Sequence, residues 1–578
     1  MSKKDSGSSL TALKWLWAVT GKSKGYILLL IIVQALHGGS GVLYALCLRN
    51  IIDNAVAGDK SGFFACCGLT ALLVIGQIAL RSIIRWAEEL SRAKFENKLK
   101  GRLFMNLLRR DFSAVTAVHS GEWLNRLTSD TMVVANSLTE ILPNVAGMLV
   151  KMIGAAIMIL TLEPSFVYIL LPCAVILMTI TYFFRKLLKS LHKGIQETDG
   201  KLRVFLQEHL ASLMIVRTFS AEKRVAADAD AKMEEHKNAR MRRNHFSNAC
   251  NIGFGLAMNG MYLIGVIWCS HGILIGTITY GTLMAVTQLI SQIQTPLANI
   301  TAYFPKYYAM TASAERLMEV ESFVDDGGEN SKSRSEIKKF YNEKFRSIGI
   351  ENGCFTYQRA DGEKHRMPIV LENISVEIEK GDYVAFSGHS GCGKSTLLKL
   401  LMCLYRLDSG ERFICGDGER FPLDTDWLRL FAYVPQGNQL MSGTIRDIVS
   451  FADKDKSDDD ERINYALKVA CADEFIFTLE KGLDTELGER GQGLSEGQMQ
   501  RIAIARAVFS ENPILMLDEA TSALDEATER KLLANLKEMT DKTVILVTHR
   551  TAVFEICNKI INFSEKGIEV KLNEQCIK

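Results

Sequence analysis

The chain predicts two architectures in tandem: a membrane α-helical bundle of six spans with long intracellular helical loops, then an α/β domain. Three observations predict it. Six apolar segments long enough to cross a hydrocarbon core of about 30 Å, which takes roughly 20 helical residues, all precede residue 302. A glycine-rich loop from Gly388 to Thr396 joins an apolar strand-like run to a helical pattern. Further on, the apolar run 514–517 ends in the adjacent carboxylates Asp518 and Glu519. The last two are what a P-loop NTPase domain requires: a backbone cradle for phosphates and acidic groups at a strand end.

The bulk numbers bound the function. At 578 residues and 48% apolar content the chain can build several domains. A formal net charge of only +2 gives no reason to expect a nucleic-acid partner. The 13 cysteines are scattered without a C-x-x-C pair, the pattern of small buried residues in a reducing compartment rather than of disulfides or metal ligands.

Residues 1–24 are predicted to form an N-terminal interfacial segment. Its start is polar and has no cleavable apolar core, while 10–19 carries Trp15 and Trp17 beside Lys14; indoles favour the headgroup level. Residues 25–322 form the membrane domain, with spans at 25–47, 63–84, 141–162, 165–184, 248–274 and 279–301. The outward connections, around Asp53, Glu163 and Gly276, are short. The connections 85–136 and 185–243 are long, helix-patterned and basic, the first holding Arg92, Lys94, Lys98, Lys100, Arg102, Arg109 and Arg110. Positive charge therefore places both long loops and both termini in the cytoplasm, at the plasma (inner) membrane, and a nucleotide hydrolase must face the same side. The turning points 112–121 and 207–217 are expected to meet the ATPase domain. The run 325–336, inside a linker at 323–345, is rich in polar residues and glycine.

Within the sixth span Gln288, Gln292, Thr295 and Asn299 share one helical stripe, flanked by Thr287, Ser291 and Gln294. Polar groups in a span face protein or a water-filled cavity, so the stripe either lines a translocation pathway or bonds neighbouring helices. Lys151 lies deep in the third span, where a role toward an anionic substrate competes with structural pairing or snorkelling. Asn259 and Gln34 are weaker candidates of the same sort.

Residues 346–578 form the ATPase domain. The glycines Gly388, Gly391 and Gly393, with Ser390, Cys392 and Thr396 in the same loop, let N–H groups close round phosphates at a helix N-terminus. Lys394 should reach the β- and γ-phosphates and Ser395 should ligate Mg²⁺. Asp518 suits the Mg²⁺ shell, and Glu519 is placed to polarise the attacking water as general base. His549, after the strand pattern 543–547, is of the kind that contacts a γ-phosphate.

The run Leu494, Ser495, Glu496, Gly497, Gln498 makes the pattern specific. The chain resembles an ATP-binding cassette (ABC) exporter half-transporter, of the type that includes bacterial multidrug, lipid and peptide exporters, over almost its whole length. The resemblance implies that Tyr357 stacks on adenine and that Gln436 touches Mg²⁺ and the attacking water. It implies that the loop 485–490 meets the intracellular loops and that Asp525 communicates between two ATP sites. It also implies that Ser495, Gly497 and Gln498 contact ATP held by a second cassette. One cassette cannot then complete a site alone, so a second half-transporter is the expected partner, with ATP and Mg²⁺ as cofactors and membrane lipid around the spans.

Glu496 departs from the family pattern, which has glycine there. Its carboxylate either weakens the partner's site by repulsion or points away without effect. A homodimer, a heterodimer with unequal ATP sites and an ATP-gated channel or regulator remain the alternatives. An unknown amphipathic small molecule, lipid or peptide is the expected cargo.

Overall fold

The computed structural model describes residues 3–326, 332–357, 369–437, 440–488, 491, 493–564 and 567–573; within these, the side chains of residues 3–9 and of most of 169–189 are left undescribed. Contacts divide the chain into two units: Met1–Gly101 with Thr128–Leu317, and Arg102–Leu127 with Met318–Lys578.

The first unit is helical. Helix α1 (Lys3–Thr20) leads into α2 (Lys24–Ala57), and α3 (Lys60–Arg109) runs on out of this unit at its end. Then follow α6 (Thr131–Leu162), α7 (Val167–Ala211), α8 (Leu213–Thr218), α9 (Glu222–Leu274), α10 (Tyr280–Asn299) and α11 (Tyr303–Ser322); α4 (Phe112–Ala117) and α5 (Ser120–Asn125) belong to the second unit. The six expected spans fall on α2, α3, α6, α7, α9 and α10. Among the described residues, four helical stretches are apolar and long enough to cross a membrane: α2, α3, Ser120–Leu162 and α9. The apolar part of α7 has its side chains outside the described residues, and α10 carries too many amide and hydroxyl groups to stand out on hydropathy. At 50 and 53 residues, α3 and α9 measure about 75–80 Å, well beyond a bilayer.

Small residues set the closest packing. A Cβ on Gly38 of α2 would lie 2.5 Å from the carbonyl oxygen of Gly147 on α6, and one on Gly147 would lie 2.9 Å from that of Gln34. The two backbones touch, the usual route to helix association where lipid removes the hydrophobic driving force. Around this seam Ala45, Ala155, Ile159, Phe166, Leu289 and Ile290 are fully buried.

The polar stripe of α10 divides in two. Gln292 is buried and donates from Nε2 to the Gly41 carbonyl at 2.5 Å; Gln294 donates to that of Met258 at 2.6 Å. Thr287, Ser291 and Thr295 bond carbonyls of their own helix. For the two glutamines, bonding between helices is the reading the geometry supports; Thr295 and Asn299 are exposed. Gln34 likewise bonds Asn144 Oδ1 at 2.8 Å, and Asn259 caps a carbonyl of its own helix.

The second unit is built on two large sheets, beside a two-stranded pairing of Gly443–Thr444 with Glu486–Leu487. Strands Leu371–Glu379, Phe345–Phe355, Ser409–Gly416 and Glu419–Pro422 form an antiparallel sheet in that order. The other sheet runs Gly567–Leu572, Lys559–Ser564, Tyr383–Gly388, Thr543–Val547, Ile514–Asp518, Phe431–Val434. Its first strand is antiparallel and the other five are parallel. Strands Ile514–Asp518 and Thr543–Val547 are buried throughout, as continuous apolar runs in a covered parallel sheet should be. Ligands of such sheets bind beyond the carboxyl ends of the strands, where Gly388, Asp518 and the turn before His549 lie.

The turn expected at 112–121 packs within this unit. Helix α4 (Phe112–Ala117) is capped by Asp111, whose side chain accepts from the Ala114 N–H at 2.8 Å, and α5 (Ser120–Asn125) follows it. The Phe112 ring meets Tyr405 edge-on, with centroids 5.7 Å apart, and Arg406 pairs with Asp111 at 3.8 Å and with Asp326.

Candidate functional site

The phosphate loop closes on itself through glycine. Gly388, Gly391 and Gly393 have φ of 145°, 83° and 99°, values L-residues rarely adopt. A Cβ on Gly393 would lie 2.5 Å from Leu371 Cδ2, and one on Gly388 would lie 2.7 Å from the Phe563 carbonyl oxygen. Conformation requires glycine at all three positions, and at Gly388 the Phe563 backbone requires it on space as well. Ser390 and Gly391 are exposed at the loop's tip, whereas Lys394 and Thr396 are buried. Lys394 opens the helix Lys394–Leu401 and turns back over the loop. Its Nζ donates to the carbonyls of Gly388 (2.7 Å) and His389 (2.9 Å), with Cys392 Sγ at 3.8 Å and His549 Nε2 at 3.4 Å.

Asp518 ends its strand 1% exposed. Ser395 Oγ donates to one carboxylate oxygen at 2.9 Å and Tyr433 OH to the other at 3.1 Å. Burial pushes the Asp518 carboxyl above its ordinary range, and the bonds from Ser395 and Tyr433 hold it back. Burial likewise pushes the Tyr433 phenol up, reinforced by the Asp518 charge. Ser395 and Asp518 thus bring two hard oxygens together beside the loop, a donor set that fits Mg²⁺ sharing its shell with phosphates and water.

Glu519 is held differently. It sits at φ 49°, a left-handed conformation costly for a non-glycine residue and concentrated at functional sites. Its N–H donates to the Val547 carbonyl at 3.0 Å. Gln436 Nε2 donates to one carboxylate oxygen at 2.6 Å, and His549 Nε2 lies 3.7 Å from the other. Lys394, Ser395, Gln436, Asp518, Glu519 and His549 come from four separate stretches of sequence and form one linked cluster.

The remaining candidates lie on neighbouring elements. Tyr357 shares a 2.9 Å hydrogen bond with Thr396 Oγ1 and meets Tyr405 edge-on at 5.4 Å. A ring chain therefore runs from Phe112 through Tyr405 to Tyr357 and the phosphate-loop helix. Ser495 caps the helix Glu496–Phe509 in a reciprocal box. Its Oγ accepts from the Gln498 N–H at 3.3 Å, and Gln498 Oε1 accepts from the Ser495 N–H at 2.9 Å. Ser495 and Glu496 are exposed at the helix's positive end. Gly497 packs tightly, since a Cβ there would lie 2.9 Å from the Ala523 carbonyl oxygen. Asp525 caps the helix Glu526–Lys537, and the Thr528 N–H and hydroxyl, donating to it, hold its carboxyl below the ordinary range. Glu489 and Arg490, at the end of the loop 485–490, lie outside the described residues.

Four residues of this region escaped the sequence reading. Tyr433 bonds Asp518 as described. Gln500 donates to Ser522 Oγ at 3.0 Å and accepts from the Ala523 N–H at 3.1 Å. Arg550 donates to the carbonyls of Ser522 and Leu524 and pairs with Glu529, 2% exposed, at 2.8 Å. Adjacency to a motif was the only available signal: Tyr433 stands three residues before Gln436, Gln500 two after Gln498, and Arg550 next to His549. Glu529 had none.

Comparison with known proteins agrees with this geometry. Residues 27–297 match the ABC transporter transmembrane region and residues 371–522 match the ABC transporter family. ABC transporter B family member 1 of Dictyostelium discoideum is 29% identical over 509 residues, covering 87% of this chain and 54% of that protein. The leukotoxin translocation ATP-binding protein LktB of Mannheimia haemolytica is 29% identical over 505 residues, covering 86% and 68%. The chain thus spans about half the length of the first relative and two thirds of the second. A bacterial Atm1-family ABC exporter with ATP bound shares the fold, with a TM-score of 0.77, 22% identity and 96% of each chain covered. A multi-pass membrane region joined in one polypeptide to a single ABC ATPase makes this chain a member of the ABC transporter family, in a half-transporter arrangement.

Proposed function

We propose that the chain exports an amphipathic small molecule, lipid or peptide at the expense of ATP, by alternating access, as a dimer of half-transporters. Its long basic loops, both termini and the ATPase domain face the cytoplasm, at the plasma (inner) membrane. The observation that carries this reading is the Glu519 carboxylate bracketed by Gln436 at 2.6 Å and His549 at 3.7 Å, beside the buried Asp518. A base so oriented is useful for turnover and not for nucleotide binding alone, which favours a pump over an ATP-gated channel or regulator.

In this reading Lys394 and the loop N–H groups hold the β- and γ-phosphates, and Tyr357 takes the adenine. Ser395, Asp518 and Gln436 hold Mg²⁺, which would supply charge neutralisation on the phosphates. Gln436 orients the water that Glu519 deprotonates, and His549 faces the γ-phosphate. Ser495, Gly497 and Gln498 reach the ATP of the partner, with Asp525 near the junction. The exposure of Ser495 at a helix N-terminus supports that assignment, because the helix end is suited to an anion approaching from outside. The exposed Glu496 keeps a heterodimer with unequal sites open, since its charge would sit near the partner's phosphates. The name of one relative, leukotoxin translocation, keeps polypeptides among the cargo classes.

The test is ATP hydrolysis by this chain alone, reconstituted in lipid, beside Glu519→Gln. Turnover that rises cooperatively with ATP and is lost in the variant supports a working homodimer. ATP binding without turnover in the unmodified chain removes the homodimer in favour of a pair of unlike halves.

A further inference from the structure

The first unit brings together the charges that lipid tolerates least. The six expected spans contain just one Arg and one Lys, Arg81 and Lys151, and no Asp or Glu at all. The two cations stand on different helices, α3 and α6, yet they converge. Arg81 lies close enough to interact with the Lys151 charge, and both interact with His37 on α2. Packing fixes the common level. A Cβ on Gly38 would lie 3.4 Å from the Lys151 backbone nitrogen. Gln77, one helical turn before Arg81, donates to the Ser40 carbonyl at 3.1 Å.

Nothing described in the protein neutralises this cluster. His37 Nδ1 is shielded from solvent without a hydrogen-bond partner among the described residues. Three carboxylates near span ends are already engaged, Glu140 with Lys306 at 2.5 Å, Glu88 with Arg92 at 3.3 Å and Asp53 with Arg49 at 3.4 Å, and Glu163 lies between the third and fourth spans, twelve residues from Lys151 in sequence. Two like charges brought together within membrane spans are costly unless an anion or water faces them. A second copy of the same spans would add cations and still no carboxylate.

We propose that His37, Arg81 and Lys151 form an anion site in the membrane domain, which takes the carboxylate or phosphate head of an amphipathic molecule. This rests on the export reading and narrows it: the cargo, or a lipid that shares its site, carries negative charge. Arg81 supplies a planar fork for the head group, and Lys151 supplies a point charge.

The test measures binding to the intact chain in phosphatidylcholine nanodiscs without nucleotide, above the partition into empty discs. The probes are decyl phosphate and decyltrimethylammonium, which share a tail. Saturable binding of the phosphate, tighter than that of the ammonium and weakened about tenfold or more in Arg81→Gln/Lys151→Gln, is the expected result. Repeating it with phosphatidylglycerol in the discs separates the sources. Displacement of decyl phosphate assigns the site to a lipid head group, and undiminished binding assigns it to a free anion. Equal affinity for the two probes overturns the proposal, as does unchanged phosphate binding in a double variant that melts like the unmodified chain. Should the double variant fail to fold, the contrast between the two probes on the unmodified chain decides alone. Because no turnover is needed, a chain that fails to hydrolyse ATP still answers the question.

Discussion

The phosphate-loop cluster and the centre of the membrane bundle treat charge in opposite ways. Around Glu519 every charged group has a counterpart within a few ångströms: Lys394 its loop carbonyls, Asp518 two hydroxyls, Glu519 an amide and an imidazole. Around Lys151, among the described residues, like charges gather without a carboxylate partner. The first arrangement is self-contained, so its residues can be read from motifs. The second is incomplete without something the chain does not encode, so its purpose emerges only from which helices meet. A closed cluster predicts large, local losses on mutation, whereas the bundle predicts losses graded by what each polar group touches.

The largest effect should come from the closed cluster. His549→Ala and Gln436→Ala each leave Glu519 with one partner instead of two. Each should lower kcat for ATP hydrolysis by about 10²-fold, in the range of misplaced acid–base groups, with little change in ATP affinity. Single-turnover hydrolysis beside equilibrium nucleotide binding separates the two quantities. A variant that loses affinity as much as rate would show that the cluster serves binding, and the contrast with the membrane centre would lose its basis.

Next in size is Gln500→Ala. Gln500 ties the signature helix Glu496–Phe509 to the loop before Asp525 through Ser522 and Ala523. Its loss should leave ATP binding to the phosphate loop intact and lower the cooperativity of hydrolysis, with a rate decrease of about tenfold, as expected when groups are misplaced rather than removed. Steady-state rates against ATP concentration give the Hill coefficient that checks this.

Asp518→Asn opposes function to stability. The folded Asp518 carboxyl has a raised pKa, chiefly from burial, so the folded state binds its proton more tightly than the unfolded chain. Stability is then greatest below the ordinary carboxylate range and falls as pH rises toward the elevated folded value. At neutral pH the wild-type chain bears the full cost. Asparagine keeps a side-chain oxygen for Ser395 without the buried charge. Nucleotide-free Asp518→Asn should therefore melt about 2–4 °C higher at pH 7, with a flatter pH dependence, while losing Mg²⁺-dependent hydrolysis. Melting curves from pH 4 to 8 test the sign; a lower melting temperature would mean that the bonds from Ser395 and Tyr433 outweigh desolvation.

The same contrast explains what the sequence made legible. Lys394, Ser395, Asp518 and Glu519 were readable because phosphate chemistry demands those residue types at a strand end and a helix start. His549 was readable from its place after the strand pattern 543–547, and Gln436 through family likeness. Tyr433–Asp518, Gln500–Ser522 and Arg550–Glu529 were not, because each joins positions at least 21 residues apart with no periodic signature. The Phe112–Tyr405–Tyr357 chain was half legible: a contact at 112–121 was expected, its aromatic route to Thr396 was not. In the membrane half the spans followed from length and hydropathy, but periodicity could only place the α10 amides on a face. Which of them bond another helix depended on where Gly41 of α2 and Met258 of α9 lie.

The smallest effect belongs to that face and tests it most sharply. Gln292 Nε2 bonds the Gly41 carbonyl, while its buried Oε1 has no partner among the described residues. Replacing it by leucine removes one bond between helices and one unsatisfied oxygen together. The net cost should be about 0.6 kcal/mol, the typical value of such bonds in a bundle, lowering the melting temperature slightly. Cargo-dependent stimulation of ATP hydrolysis should survive. Asn299, exposed on the same stripe, should behave in reverse: Asn299→Leu leaves the melting temperature unchanged and alters which compounds stimulate turnover. If instead Gln292→Leu abolished stimulation without lowering the melting temperature, the buried amide would belong to the pathway. The bundle's polar groups would then be closer in kind to the phosphate-loop cluster than their hydrogen bonds suggest.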